Sequence, residues 1–119
     1  MYRIVFLIAL YLNFLSMIGQ SDYYMRQARS YQREAEYYTK QAHIFDEEVT
    51  YYNRRAQGFL REAECYSKRA MYNQVRNYQD KAKNATDKAE LYKRKADNAR
   101  DMARLYMRKA ENALQKAKK

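Results

Sequence analysis

Residues 23–66, YYMRQARSYQREAEYYTKQAHIFDEEVTYYNRRAQGFLREAECY, decide the fold. A pair recurs every fourteen residues as Tyr23-Tyr24, Tyr37-Tyr38, Tyr51-Tyr52 and Cys65-Tyr66, with Ala28, Ala42, Ala56 and Ala70 four residues after each second member. Fourteen residues are two heptads. With Ala at heptad position a, that column reads Ala28, Ala35, Ala42, Val49, Ala56, Ala63 and Ala70. Position d reads Tyr24, Tyr31, Tyr38, Phe45, Tyr52, Phe59 and Tyr66. The three–four alternation holds without a break, which is the pattern of a long helix with a continuous seam.

The frame then slips over Met71–Asn77, where two residues are missing. Beyond it the pair resumes as Asn77-Tyr78, Leu91-Tyr92 and Leu105-Tyr106. Position a becomes Val75, Ala82, Ala89, Ala96, Ala103, Ala110 and Ala117, while d alternates Tyr78, Ala85, Tyr92, Ala99, Tyr106 and Ala113. Each residue turns a helix by about 100°, so two missing residues carry the seam nearly to the opposite face. One straight helix cannot present both halves to one partner. The expected fold is all-α: two long helices with Ala/Tyr heptad seams, as an antiparallel hairpin or a hinged coiled coil, and oligomeric. A ring-rich arm facing an alanine-rich arm would fill space at native density. The expected boundaries are a first helix over 21–72, a turn or hinge at 73–77 using Asn73 and Asn77, and a second helix over 78–119.

Composition agrees. The chain has 119 residues with no Pro, no Trp and only two Gly. Uninterrupted helix needs that. Its apolar residues are mostly Ala and Tyr, so a thick monomeric core is out of reach. Residues 1–20 read as a secretory signal: a basic Met1-Tyr2-Arg3 start, an apolar run from Ile4 to Leu15, then the small Ser16, Gly19 and Ser21. That run is shorter than the roughly 20 residues a membrane span needs, so stable membrane insertion is not expected. The expected location is extracellular.

Charge is uneven. Residues 22–64 carry 7 Lys+Arg and 8 Asp+Glu, whereas residues 65–119 carry 16 and 6. The positive excess therefore lies in the second half. In an exported protein nucleic acid is not the expected partner. Acidic matrix polymers, acidic surfaces, other copies of the chain or a related coiled-coil chain fit better.

Nothing in the pattern supports catalysis, a cofactor or a metal. His43 is the sole histidine, at a surface b position, and Cys65 sits several turns away at c, so no Cys–His pair follows. No glycine-rich loop or metal-ligand spacing occurs. An enzyme is not expected. The tyrosines at d are explained by packing, but Tyr23, Tyr37 and Tyr51 fall at the outward c position, where packing does not require a ring. They flank a wide apolar stripe or serve as exposed phenols for oxidation, cross-linking or adhesion. Cys65, unable to pair within the chain, is the candidate for an intermolecular disulfide. Asn84-Ala85-Thr86 is an N-glycosylation sequon with Asn84 pointing outward.

The Tyr-Tyr-x-x-x-Ala frames, the abundant lysine, the alanine-lined heptads and the export-type start resemble secreted invertebrate structural proteins: coiled-coil silks and mussel byssal (foot) proteins. That resemblance implies secretion, self-assembly through the Ala/Tyr seam into a fibre or adhesive extracellular matrix, and tyrosine hydroxylation. A soluble cationic extracellular binding or host-defence protein, acting on anionic surfaces, is the alternative.

Overall fold

The computed structural model describes the backbone of residues 2–119 and the side chains of residues 19–119. The expected signal segment falls mainly on residues 1–18, outside the described side chains. Helix α1 spans Tyr2–Lys68 and helix α2 spans Tyr72–Lys118, with no strand among the described residues. The chain is all-α with two helices, and it divides into two compact units. One is Tyr38–Asp101; the other combines Met1–Tyr37 with Met102–Lys119.

The reversal occurs at Arg69–Met71, earlier than the expected 73–77, so Asn73 and Asn77 lie inside α2. Its chemistry explains the difference. The Met71 amide donates to the Tyr66 carbonyl at 3.0 Å and the Ala70 amide donates to the Ser67 carbonyl at 3.0 Å. Ala70 between them adopts φ 56°. These are the two bonds and the left-handed residue of a Schellman C-cap, a place usually held by Gly. The Met71 carbonyl then accepts from the amides of Gln74 and Val75, both at 3.1 Å, and so opens α2. One residue ends one helix and its neighbour starts the next.

Within the unit Tyr38–Asp101 the helices run antiparallel. Tyr78 lies between Phe59 and Tyr66, with ring centroids at 6.2 and 5.4 Å. Tyr92 lies between Phe45 and Tyr52, at 6.1 and 5.6 Å. The Tyr52–Tyr92 and Tyr66–Tyr78 pairs are stacked, with interplanar angles of 8° and 14°. This register sets each α1 ring opposite an α2 alanine: Phe59 across from Ala82, Tyr52 from Ala89, Phe45 from Ala96. Arg100 crosses between the helices, donating to an Asp46 carboxylate oxygen at 2.8 Å and, on its own helix, to Asp97 at 2.6 Å. Both Arg100 and Asp46 occupy e positions, which meet in an antiparallel pair.

The other unit follows the same rule within itself. Tyr31 approaches Tyr106 at 6.1 Å, and the Lys116 ammonium lies 5.7 Å from the Tyr24 ring centroid. Ala28 and Ala113 are buried there.

The buried residues are all alanines. Ala28, Ala35, Ala42, Ala56 and Ala63 come from α1, and Ala82, Ala85, Ala89, Ala96, Ala99, Ala103, Ala110 and Ala113 from α2. Among the described residues these alanines are the only buried ones, no large side chain is fully buried, and the d-position rings are half-exposed. Each alanine methyl contributes only about 0.8 kcal/mol of burial. Ring pairs add roughly 0.5–1.5 kcal/mol each beyond their own burial. Rings lying over the seam therefore supply much of what the thin centre cannot.

Candidate interaction surface

The structure separates the two members of each tyrosine pair, the first at c, which shares a flank of the helix with g, and the second at d on the seam. Tyr24, Tyr38 and Tyr52 are half-buried on the seam, whereas Tyr23, Tyr37 and Tyr51 are 60%, 54% and 51% exposed. Tyr23 and Tyr51 rest edge-on against Tyr24 and Tyr52, with centroids at 5.3 and 5.1 Å. The Tyr51 hydroxyl also accepts from the Arg55 guanidinium at 3.4 Å. Ile44, Leu91 and Leu105 are exposed at other c positions. Cys65 is an exposed free thiol at the same position in the frame. Asn84 is exposed, and the Thr86 hydroxyl of its sequon donates to the Ala82 carbonyl at 3.0 Å, inside α2. His43 is exposed beside Glu47 at 3.3 Å. Among the described residues no three His, Cys, Asp or Glu side chains could hold one metal ion, and no helix is long and apolar enough to cross a membrane. The apolar run of residues 4–15 lies outside both statements.

Lysine recurs beside the seam in a way that the seam does not require. The g positions of α2 are Gln74, Lys81, Lys88, Lys95, Met102, Lys109 and Lys116. Lys81 stands 4.8 Å from the Tyr78 centroid and Lys88 stands 5.4 Å from that of Tyr52. Lys95 covers Tyr92 at 5.1 Å, and Lys109 covers Tyr106 at 5.1 Å. Arg55 of α1 lies over Phe59 at 5.2 Å and Tyr51 at 5.7 Å. Each such contact is worth about 0.5–1 kcal/mol at an exposed site. Arg100 is shifted above its usual pKa, first by the hydrogen bond to Asp97 and then by the one to Asp46.

Grooves open beside two of the alanine d positions of α2, Ala85 and Ala113. In the unit Tyr38–Asp101 the groove measures about 330 Å³ and is lined by Tyr52, Arg55, Phe59, Lys81, Asn84, Ala85 and Lys88. In the other unit a groove of about 200 Å³ is lined by Gln27, Tyr31, Lys109, Asn112, Ala113 and Lys116. The second α2 lining is the first displaced by 28 residues: Lys81, Asn84, Ala85 and Lys88 become Lys109, Asn112, Ala113 and Lys116. On α1, Arg55 and Phe59 correspond to Gln27 and Tyr31 at the same displacement. Sequence reasoning missed these grooves. The signal was present as Lys-Ala-Lys-Asn-Ala at 81–85, Lys-Ala-Asp-Asn-Ala at 95–99 and Lys-Ala-Glu-Asn-Ala at 109–113, but the walls come from the other helix.

No known protein family, curated protein or solved structure matches this chain.

Proposed function

We propose that this chain is an exported, non-enzymatic structural protein that assembles with its own copies into a fibre or adhesive extracellular matrix, in the manner of the silk-like and byssal proteins it resembles. The observation that carries the reading is the row of exposed phenols. Tyr23, Tyr37 and Tyr51 keep more than half their surface in water, although half-buried neighbours already satisfy the seam. The sequence expectation had assembly running through the Ala/Tyr seam. Within each unit that seam is occupied by the chain's own second helix. The surface left for assembly is the outer flank. Tyr23, Tyr37 and Tyr51 are the residues to be modified or coupled, Cys65 forms a disulfide between chains, and acidic polymers are the second component.

The test uses the whole mature chain. Sedimentation across a hundredfold concentration range should show growing assemblies. Peroxide with a peroxidase should yield dityrosine fluorescence, each coupling taking one hydrogen atom from each of two phenols. Replacing Tyr23, Tyr37 and Tyr51 together by Phe, in a chain where the still more exposed Tyr72 is already Phe, should remove most of that product and leave helix content unchanged. A chain that stays monomeric at high concentration, and whose dityrosine yield survives the triple replacement, sinks the proposal. The alternative, a soluble cationic binding protein, draws its support from the grooves between the lysines.

A further inference from the structure

The geometry points to two related subsites, a stronger and a weaker one, for an acidic sugar unit of an anionic polysaccharide, one in each groove. Three observations converge. First, the groove at Ala85 is rimmed by three cations, Arg55, Lys81 and Lys88, and neither groove lining includes a carboxylate. Second, those cationic heads are held in place: Lys81 and Lys88 lie over Tyr78 and Tyr52, and Arg55 over Phe59. A ring face occupies one side of an ammonium group that has three N–H donors, so donors remain for a sulfate or carboxylate. Third, the walls are aromatic, from Tyr52 and Phe59, and the Asn84 amide supplies both a donor and an acceptor. A pyranose ring bearing an acidic group uses all three features: its C–H face against the aromatic wall, its hydroxyls on Asn84, its charge on the cations.

The volumes bound the occupant. About 330 Å³ lies at the low end for small-molecule sites, which suits one sugar unit of a longer polymer running through an open groove. The second groove, with Gln27 in place of Arg55, has one cation fewer and binds more weakly. The repeat places them. α1 carries a ring at every d position but α2 only at every second one, so α2 has alanine at d at Ala85, Ala99 and Ala113, closing Lys-Ala-x-Asn-Ala stretches at 81–85, 95–99 and 109–113. The two grooves lie at the first and the third of these. Glu48 and Glu62, at g one heptad to either side of Arg55, are the nearest acidic positions in the same column and would compete for the groove's lysines. Asn84 carries the sequon and Asn112 does not, since Asn112-Ala113-Leu114 lacks the hydroxyl residue. A glycan on Asn84 would therefore close the first groove and leave the second open.

The inference names the seat of the acidic partner in the reading above. It fails separately from self-assembly, because binding is measured at concentrations where sedimentation shows a monomer. The full chain is titrated with a size-defined heparin oligosaccharide, an alginate oligosaccharide and a single-stranded DNA of matched charge. We expect saturable binding of the sulfated and carboxylated sugars, with up to two sites per chain. Replacing Lys81, Lys88, Lys109 and Lys116 by Gln should weaken it at least about tenfold, as loss of charge-assisted hydrogen bonds would. Replacing Lys83, Lys93, Arg94 and Arg108 by Gln removes the same charge away from the grooves and should cost less than about threefold. Asn84→Leu with Asn112→Leu changes no charge and should still weaken binding measurably. Circular dichroism checks that each variant keeps its helix. Equal losses in the two charge sets, an unchanged affinity in the asparagine pair, or DNA bound as tightly with the same sensitivities would overturn the proposal.

Discussion

Helices α1 and α2 carry the same alanine column but opposite second columns, and that asymmetry explains the molecule. α1 places an aromatic ring at every d position from Tyr24 to Tyr66, while α2 alternates Tyr78, Ala85, Tyr92, Ala99, Tyr106 and Ala113. Two ring-rich helices could not close on each other, and two alanine-rich helices would bury too little. Together, each ring meets a methyl, and the rings of α2 slot between neighbouring rings of α1. Two of the spared positions, Ala85 and Ala113, line grooves. Charge follows the same division: the near-neutral half supplies the rings, and α2 supplies the lysines that cover them.

The largest effect should come from making α2 resemble a bulkier helix. Ala96 is fully buried, opposite Phe45. Ala96→Leu should destabilise by about 2–3 kcal/mol, because a methyl-sized space must take an isobutyl group against a ring. Urea titration followed by circular dichroism reads this directly. A loss under about 0.5 kcal/mol would mean that the helices separate easily and that the alanine column does not set their approach. Next in size is the opposite change. Tyr92→Ala removes the ring wedged between Phe45 and Tyr52 and should cost about 2 kcal/mol, less than a fully buried aromatic because the ring is half-exposed.

These two columns were legible because period and residue size are both written in the chain. Ala at a, with a ring or Ala at d, specifies a heptad seam, and the missing two residues specify two helices. The turn was not legible. Turn reading looks for Gly, Pro or Asn, and the two asparagines drew the boundary to 73–77. The residue that adopts the left-handed conformation is Ala70, which carries no such mark and even continues the alanine column of α1. The exposed c tyrosines were legible from position alone. The grooves were not, because each needs Lys and Asn from one helix and aromatic walls from the other. Their assembly depends on a register that only the ring contacts reveal.

A smaller prediction sharpens the joint between the helices. Ala70 holds φ 56°, where an L-residue with a Cβ is strained by about 1–2 kcal/mol relative to glycine. Part of that gain is offset by glycine's greater freedom in the unfolded chain, about 0.5–1 kcal/mol. Ala70→Gly should therefore stabilise by roughly 0.5–1 kcal/mol. Ala70→Val should destabilise, since branching at Cβ is least tolerated there. If both substitutions moved stability in the same direction, the cap described at Tyr66–Met71 would not be what joins α1 to α2.

The smallest effect concerns a place where α1 is intrinsically weaker than α2. Gly58 sits at c within the ring-rich helix, and the described part of α2 contains no glycine. A Cβ built on Gly58 meets no atom within 4 Å, so space does not require glycine there. Helix propensity alone then sets the outcome: Gly58→Ala should stabilise by about 0.8 kcal/mol. Because c borders the groove flank but Gly58 is absent from the groove lining, the same substitution should leave oligosaccharide binding unchanged. Higher stability with unchanged binding would separate the packing role of α1 from the surface it shares with α2. A stabilised chain that bound several times more weakly would show that the groove depends on bending at Gly58, and would make α1 an active partner in recognition rather than a wall.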